Sequence, residues 1–125
     1  MAYSPLGRGA LSGELRKPND LAQNDFRRNF PRFQPEAFEQ NFKLVEAVEQ
    51  IAKRKGVTVA QVAIAWVSRH GAVPIPGSKN IERVATNSKL VSLTDDDMTE
   101  LEKILENMPV AGERYGGAHE KFLNA

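Results

Sequence analysis

The order of predicted elements indicates a parallel α/β fold, of which this chain carries only a helix-rich part. Two short strand candidates, residues 2–4 and 73–76, alternate with helices, and this alternation favours a parallel sheet. Two parallel strands leave open edges and little surface on which to bury a helix. Yet the segment VAQVAIAWVSRH, residues 59–70, is apolar on nearly every side. The sequence therefore predicts a piece of an α/β domain and not a complete one.

The first strand ends at a glycine-rich break, and a long segment without periodicity follows. The break is PLGRG, residues 5–9, which combines one proline with two glycines. Prolines, asparagines and aspartates recur over residues 11–35 and predict a long loop with one short helix at residues 21–28. A loop of that length in a compact domain is usually functional or disordered.

Two helices are predicted between the strands. The first covers residues 36–55, and Gly56 suits its C-cap. The second follows Thr58, which forms a capping box with Gln61, and ends before Gly71. The buried stripe of the first helix consists of Phe38, Phe42, Val45, Val48, Ile51 and Ala52. Trp66 lies in the second helix and is expected in the core.

Two further helices are predicted after the second strand. The first covers residues 80–89, with Asn80 as N-cap. The second covers residues 95–107, is capped by Thr94, and has Leu93 and Met98 at the positions of a hydrophobic staple. Its expected buried face consists of Met98, Leu101, Ile104, Leu105 and Met108. Residues 109–125 are predicted to form a C-terminal tail.

The composition argues against several classes of function. The net charge of +1, from 17 basic and 16 acidic residues, offers no electrostatic basis for binding nucleic acid or an anionic membrane. No apolar run approaches the roughly 20 residues that span a bilayer, and the first residues lack the pattern of a signal peptide. The absence of cysteine excludes disulfides and thiolate metal sites. We therefore expect a cytoplasmic protein without a metal site.

The turn after the second strand combines a glycine, a hydroxyl, two cations and an amide. Gly77 lies where ligands bind in parallel α/β folds, at the carboxyl end of a strand. Lys79, Arg83 and Asn87 are spaced by four and would share one helix face. With Ser78, these side chains suit a terminal phosphomonoester, such as the 2′-phosphate of NADP. Ordinary solvated helix faces carry the same residue types, so spacing alone leaves both interpretations open.

Several segments together resemble the NADP-dependent aldo-keto reductases. The stretch PIPGSKNIERVATN, residues 74–87, resembles the family's cofactor segment, where a Pro-x-Pro-Gly-Ser/Thr-Lys-like turn leads to Arg or Gln and then Asn. AYSPLGRGALSG, residues 2–13, resembles its seventh barrel strand with the following loop. Residues 56–77 match the usual run into strand eight. LTDDDMTELEKI, residues 93–104, and GERY, residues 112–115, match the closing helix and C-terminus.

This resemblance implies a (β/α)₈ TIM barrel, which needs roughly 250 residues or more. Residues 1–125 would be a partial domain, the C-terminal fragment with strands seven and eight and their helices. The glycine at position 77 points to the branch of pyridoxal-reductase-like and potassium-channel β-subunit-like members. The implied cofactor is NADP(H). The pyrophosphate side falls to Ser4, Pro5, Leu6, Gly7 and Arg8, and the adenosine phosphate to Gly77, Ser78, Lys79, Arg83 and Asn87.

The complete relative would reduce a small aldehyde or ketone with hydride from NADPH, using an Asp, Tyr, Lys and His tetrad. That tetrad comes from earlier strands, and none of its motifs is present, so no catalytic residue is assigned and this chain alone is expected to be inactive. A truncated gene model, an internal start or a degenerate copy would explain the short length. Tyr3 is assigned to strand packing, Tyr115 and His119 to the tail, and His70 to a helix C-terminus. The aromatic and cationic stretch FRRNFPRF, residues 26–33, is expected to pack over the cofactor or on the barrel rim.

A second hypothesis is a non-catalytic helical interaction protein derived from the same fold. It rests on the predicted excess of apolar helix surface, above all at residues 59–67. Such a protein would associate with a partner through its exposed apolar helix faces.

Overall fold

The computed structural model describes residues 1–117 as four α-helices and two short parallel strands. The strands are β1 (Ala2–Tyr3) and β2 (Pro74–Ile75). The helices are α1 (Pro35–Lys55), α2 (Val59–Arg69), α3 (Ile81–Asn87) and α4 (Asp95–Asn107). None of these helices has the length and apolarity to cross a membrane.

The two strands pair in parallel, which confirms the predicted sheet. Ala2 lies opposite Pro74 and Tyr3 opposite Ile75, and the Ala2 amide donates to the Val73 carbonyl at 2.8 Å. Within the described residues the sheet has only these two strands, so each keeps one unpaired edge. The parallel register sets the carboxyl ends of both strands at one side of the molecule.

Local sequence signals account for the α1–α2 hairpin. Gly56 ends α1 in the left-handed conformation, with φ of 67° and its amide shared between the Ala52 and Lys53 carbonyls. Thr58 then caps α2: its hydroxyl accepts from the Gln61 amide at 3.1 Å, and the Gln61 side chain accepts from the Thr58 amide at 3.0 Å. Because both ends of the connection are specified by residues within it, the sequence predicted it correctly.

The main core lies between α1, α2 and α4. Its fully buried members include Ile51 and Val62, and Leu93 and Met98 both pack in it as the staple predicts. α2 is buried by these contacts, so residues 59–67 are not the unpartnered surface that the interaction hypothesis required. Trp66 is half-buried at the edge of the core, and its indole nitrogen is buried without a hydrogen-bond partner among the described residues.

Asp97 fixes the start of α4 against the end of α1. Its side chain accepts from the Thr94 amide at 2.9 Å, while the Thr94 hydroxyl accepts from the Asp97 amide at 3.1 Å. The same carboxylate accepts from Lys55 Nζ at 2.6 Å and lies 3.4 Å from Arg54 Nη2. These hydrogen bonds, led by that of Lys55, hold the pKa of Asp97 well below its usual range.

The segment between β1 and α1 folds into a succession of 3₁₀ turns instead of one short helix. The turns cover Gly7–Ser12, Pro18–Asp20, Phe26–Asn29 and Pro31–Phe33. Leu15, Leu21 and Phe33 are buried with Phe38 of α1 in a second, smaller core. The prediction of a helix over residues 21–28 is therefore wrong: this part of the chain forms only the short turn Phe26–Asn29, which begins at the Asp25 cap and is soon followed by Pro31.

Residues after α4 dock on this turn-rich segment. The Asn41 side chain exchanges two hydrogen bonds with Ala111, of 2.7 and 3.0 Å, and Arg32 Nε donates to the Gly112 carbonyl at 3.1 Å. Gly112 has φ of 80°, and a Cβ there would lie 2.9 Å from the backbone of the Pro31–Phe33 turn. The described part of the predicted tail is thus attached to the domain. His119 lies outside the described residues.

Candidate functional site

A strained turn follows β1 at the carboxyl side of the sheet. Ser4, Gly7 and Arg8 all have positive φ, of 52°, 55° and 58°. The turn is closed by the Gly7 amide on the Ser4 carbonyl and the Gly9 amide on the Leu6 carbonyl, both at 3.0 Å. Left-handed conformations at non-glycine residues are costly and cluster at functional sites. The turn therefore marks this edge of the sheet as a candidate ligand site.

A pocket of about 290 Å³ lies beside this turn. Of the five residues predicted for the pyrophosphate, four line it, namely Ser4, Pro5, Gly7 and Arg8, and Leu6 does not. Tyr3, Arg32 and Arg114 also belong to its wall. The pocket is therefore bordered by three cationic side chains and a serine, a set of groups that suits an anionic ligand.

Arg8 is held by aromatic rings. Its guanidinium carbon lies 4.3 Å from the centre of the Phe30 ring, 4.5 Å from that of Tyr115 and 5.7 Å from that of Phe26. These separations are typical of cation–π contacts. The hydrogen bond from Arg8 lowers the pKa of the Tyr115 phenol. The packing of Tyr115 agrees with the role assigned to it from sequence.

Tyr3 differs from its assignment to strand packing. The residue is 48% exposed, and the Arg114 guanidinium lies 4.4 Å from the ring centre. Arg114 also donates to the Tyr3 carbonyl at 3.4 Å. Tyr3 is the last residue of the two-residue strand β1 and lies immediately before the turn, so it lines the pocket and is not part of a core. An aromatic residue at that position is the sequence signal for this placement.

The second half of the candidate site is the turn between β2 and α3. Asn80 caps α3 as predicted, because its side-chain oxygen accepts from the Glu82 amide at 2.9 Å and the Arg83 amide at 3.1 Å. Lys79 therefore precedes the helix, and the prediction that it shares a helix face with Arg83 and Asn87 is wrong. The helix is also shorter than the expected 80–89, since it ends at Asn87.

This cap changes how the turn could hold an anion. Two of the first amides of α3 are already satisfied by Asn80, so an anion would depend on side chains. The candidate groups are Ser78 and Lys79 on the turn and Arg83 on the first helical turn, and the Ser78 hydroxyl already accepts from the Asn80 amide at 3.1 Å. Gly77 is exposed, and a Cβ there would meet nothing within 4 Å. Glycine is thus not required by packing at this position, and it leaves open space beside the turn.

A pocket of about 270 Å³ lies between β2 and α3. Its lining includes Ser78 and Asn87 from the predicted adenosine-phosphate set, together with Val84. Gly77, Lys79 and Arg83 lie outside its lining. The structure thus brings only part of the predicted set together around one cavity.

Arg83 is paired with a residue that the sequence analysis did not single out. Its Nη2 atom lies 2.8 Å from the Glu14 carboxylate, and both side chains are about half exposed. The two residues are 69 positions apart, and no local pattern connects them. This ion pair joins the loop after β1 to α3, and so links the two predicted halves of the site.

The arginine-rich stretch is occupied by internal contacts. Arg27 pairs with Asp25 at 2.6 Å and donates to the Arg8 carbonyl at 2.8 Å. The first of these contacts lowers the pKa of Asp25 to about 2. Arg28 donates to the Ala22 carbonyl at 2.8 Å.

His70 caps α2 as expected, with Nδ1 2.9 Å from the Trp66 carbonyl.

Comparison with known proteins identifies the family of this chain. The model of the Aldo/keto reductase family matches residues 1–106. Aldo-keto reductase yakc [NADP(+)] of Schizosaccharomyces pombe is 38% identical over 98% of this chain and 38% of its own length. An aldo-keto reductase of Gibberella moniliformis is 36% identical over 92% of this chain.

A solved structure has a similar fold over the matched part. The glycerol dehydrogenase of Gluconobacter oxydans superposes with a TM-score of 0.76 at 26% identity, over 90% of this chain and 36% of that enzyme. This chain therefore spans little more than a third of the length of the relatives that it matches.

Proposed function

Because this chain belongs to the aldo/keto reductase family, we propose that it is the C-terminal segment of an NADP(H)-dependent reductase of aldehydes or ketones. The observation that carries this proposal is the pair of pockets at the carboxyl side of the sheet. One pocket is lined by residues of the turn after β1 and the other by residues of the turn after β2. The Glu14–Arg83 ion pair connects the segments that bear them.

The residues of both turns fit the phosphates of NADP(H). The turn after β1 contributes Ser4, Gly7 and the Arg8 cation beside the pocket proposed for the pyrophosphate. After β2, Ser78 and Lys79 on the turn and Arg83 on α3 offer a hydroxyl and two cations for the 2′-phosphate. When bound in a complete enzyme, the cofactor supplies the hydride. The residues of this chain bind and orient it.

Proton transfer to the substrate would fall to parts of the enzyme that this chain does not contain. A carbonyl that accepts a hydride needs a proton for its oxygen, and the family supplies it from a tyrosine within the tetrad. Tyr3 has Arg114 as a neighbour and Tyr115 has Arg8. Neither tyrosine lies in a sequence motif of the family's catalytic tetrad. We therefore expect this chain alone to bind cofactor without reducing a carbonyl, and we place it with the branch indicated by Gly77.

Calorimetric titration with adenosine 2′,5′-bisphosphate tests the binding. Lys79→Ala and Arg83→Ala each remove one charge-assisted contact worth ~1.5–3 kcal/mol, so each should weaken binding about tenfold or more. Lys89→Ala is the matched control, because Lys89 is an exposed cation just beyond α3. AMP, which lacks the 2′-phosphate, should be insensitive to both substitutions.

Two results would contradict this proposal. A folded sample that binds neither nucleotide would remove the cofactor site. If the purified chain reduced a carbonyl with NADPH, the proposal that catalysis depends on other segments of the enzyme would be wrong.

A specific observation favours a second candidate, a non-catalytic interaction protein. Several exposed apolar residues lie in and around β2 and α3: Val73, directly before β2, is 61% exposed, and Ile81, at the start of α3, is 84% exposed. These residues replace α2 as the surface that would recruit a partner. Sedimentation of the chain as a compact monomer that binds no hydrophobic dye would argue against this candidate.

A further inference from the structure

The guanidinium proposed for the 2′-phosphate has a counter-ion built into the same chain. Glu14 lies 2.8 Å from Arg83 Nη2, at the position that an anionic ligand of Arg83 would take. Among the described residues Lys79 forms no ion pair, whereas Arg83 is paired with Glu14. A phosphate that binds Arg83 must therefore displace the Glu14 carboxylate or share the guanidinium with it.

Glu14 is presented by an ordered turn. Gly13 takes the left-handed conformation with φ of 79°, and the Ser12 hydroxyl accepts from the Glu14 amide at 3.2 Å while donating to the Gly9 carbonyl at 2.7 Å. Leu15, the next residue, is buried in the smaller core. The backbone on both sides of Glu14 is thus fixed, and its side chain extends from a defined position toward α3.

The two members of the pair prefer different substituents on a ribose. A guanidinium binds a phosphate through parallel hydrogen bonds, whereas a carboxylate repels a phosphate and accepts a hydrogen bond from a free 2′-hydroxyl. NADP carries the phosphate at this position and NAD the hydroxyl. We propose that Glu14 sets the balance between NADP(H) and NAD(H) at this site, by competing for Arg83 and by accepting from the 2′-hydroxyl. This inference rests on the proposed function.

The exposure of the pair limits the size of the effect. Both side chains are about half exposed, so solvent and salt screen the interaction strongly. Exposed pairs of this kind change an equilibrium by about fivefold at most. Glu14 therefore adjusts the preference for one cofactor over the other, and it does not abolish binding of either.

Glu14→Gln tests this inference, since glutamine keeps the size of the side chain and removes its charge. The affinities for adenosine 2′,5′-bisphosphate and for AMP are measured by calorimetry on the variant and the unchanged chain at low salt. We expect the bisphosphate to bind about threefold to fivefold more tightly and AMP to bind equally or more weakly. Glu36→Gln, at an exposed glutamate in the first turn of α1, is the control and should leave both affinities unchanged.

The possible outcomes separate the two proposals. An unchanged ratio of the two affinities in Glu14→Gln, with both nucleotides bound, would overturn the role of Glu14 and leave the cofactor site intact. A parallel gain for both nucleotides would also overturn it, because that result indicates a general charge effect. If the unchanged chain binds neither nucleotide, the proposed function fails, and the role of Glu14 fails with it.

Discussion

Replacing Asp97 with asparagine should destabilise the domain far more than the same change at the neighbouring Asp96. The Asp97 carboxylate is nearly buried, with 8% of its side chain exposed, and accepts from Lys55 at 2.6 Å. Asparagine keeps an acceptor for the Thr94 amide and removes the charge that Lys55 needs. Asp96 lies exposed in the same helical turn, so its substitution removes an equivalent interaction with the helix dipole.

The magnitude follows from the contacts that are lost. A hydrogen bond to a charged group contributes ~1.5–3 kcal/mol, and the partly buried ammonium of Lys55 would be left unpaired. The melting temperature should then fall by roughly 6–12 °C, since 1 kcal/mol corresponds to roughly 4 °C in a domain of this size. Asp96→Asn should cost at most ~1 kcal/mol.

The pH dependence provides the assay. The pKa of Asp97 is lower in the folded chain than its unfolded value near 3.8. The stabilisation of the folded chain by the ionised Asp97 carboxylate is therefore complete above pH 3.8 and declines as the pH falls toward the folded pKa. Thermal unfolding of both variants and the unchanged chain at pH 7, 5 and 3 should show the effect of Asp97→Asn shrinking only in the most acidic sample. Equal melting temperatures for the two variants at pH 7, or a difference that stays constant at pH 3, would refute the reasoning.

Three further predictions concern the turns and caps. Gly112→Ala should destabilise the chain well beyond the ~1–2 kcal/mol of left-handed strain that Gly117→Ala also incurs, because only the first introduces a clash; urea unfolding compares them. Thr58→Ala should cost ~1 kcal/mol through loss of the α2 cap, and an unchanged urea midpoint would contradict the capping box. Arg8→Gln should raise the pKa of Tyr115 toward its ordinary value of 10.0, as followed by NMR titration of the ring; an unchanged titration would show that Arg8 is not the cause.

Features specified by neighbouring residues could be predicted from the sequence. Gly56, Thr58 and Thr94 each act within four positions along the chain, and the structure confirms the helix boundaries that they predict. Asn80 is a contrasting case. Its role as a cap was predicted, and a cap at this position itself places Lys79 outside the helix.

Features that depend on distant residues could not be predicted. Glu14 meets Arg83 across 69 positions, and no periodicity encodes that contact. Arg8 likewise reaches aromatic rings from the Phe26–Asn29 turn and from Tyr115, which pair only after the chain has folded. The pattern showed which residue types are present at the candidate site, whereas tertiary packing determines which of them pair with each other.

The pairing of β1 with β2 has a consequence for the order in which the chain acquires its structure. Ala2 and Pro74 are separated by the long loop, α1 and α2, so the sheet forms only by closing a large loop at a high entropic cost. The α1–α2 hairpin closes over a few residues and carries most of the main core. Local contacts of this kind form faster than contacts between distant segments. We therefore expect the helices to assemble first, and the two turns that bear the candidate cofactor residues to come together in the slowest step of folding.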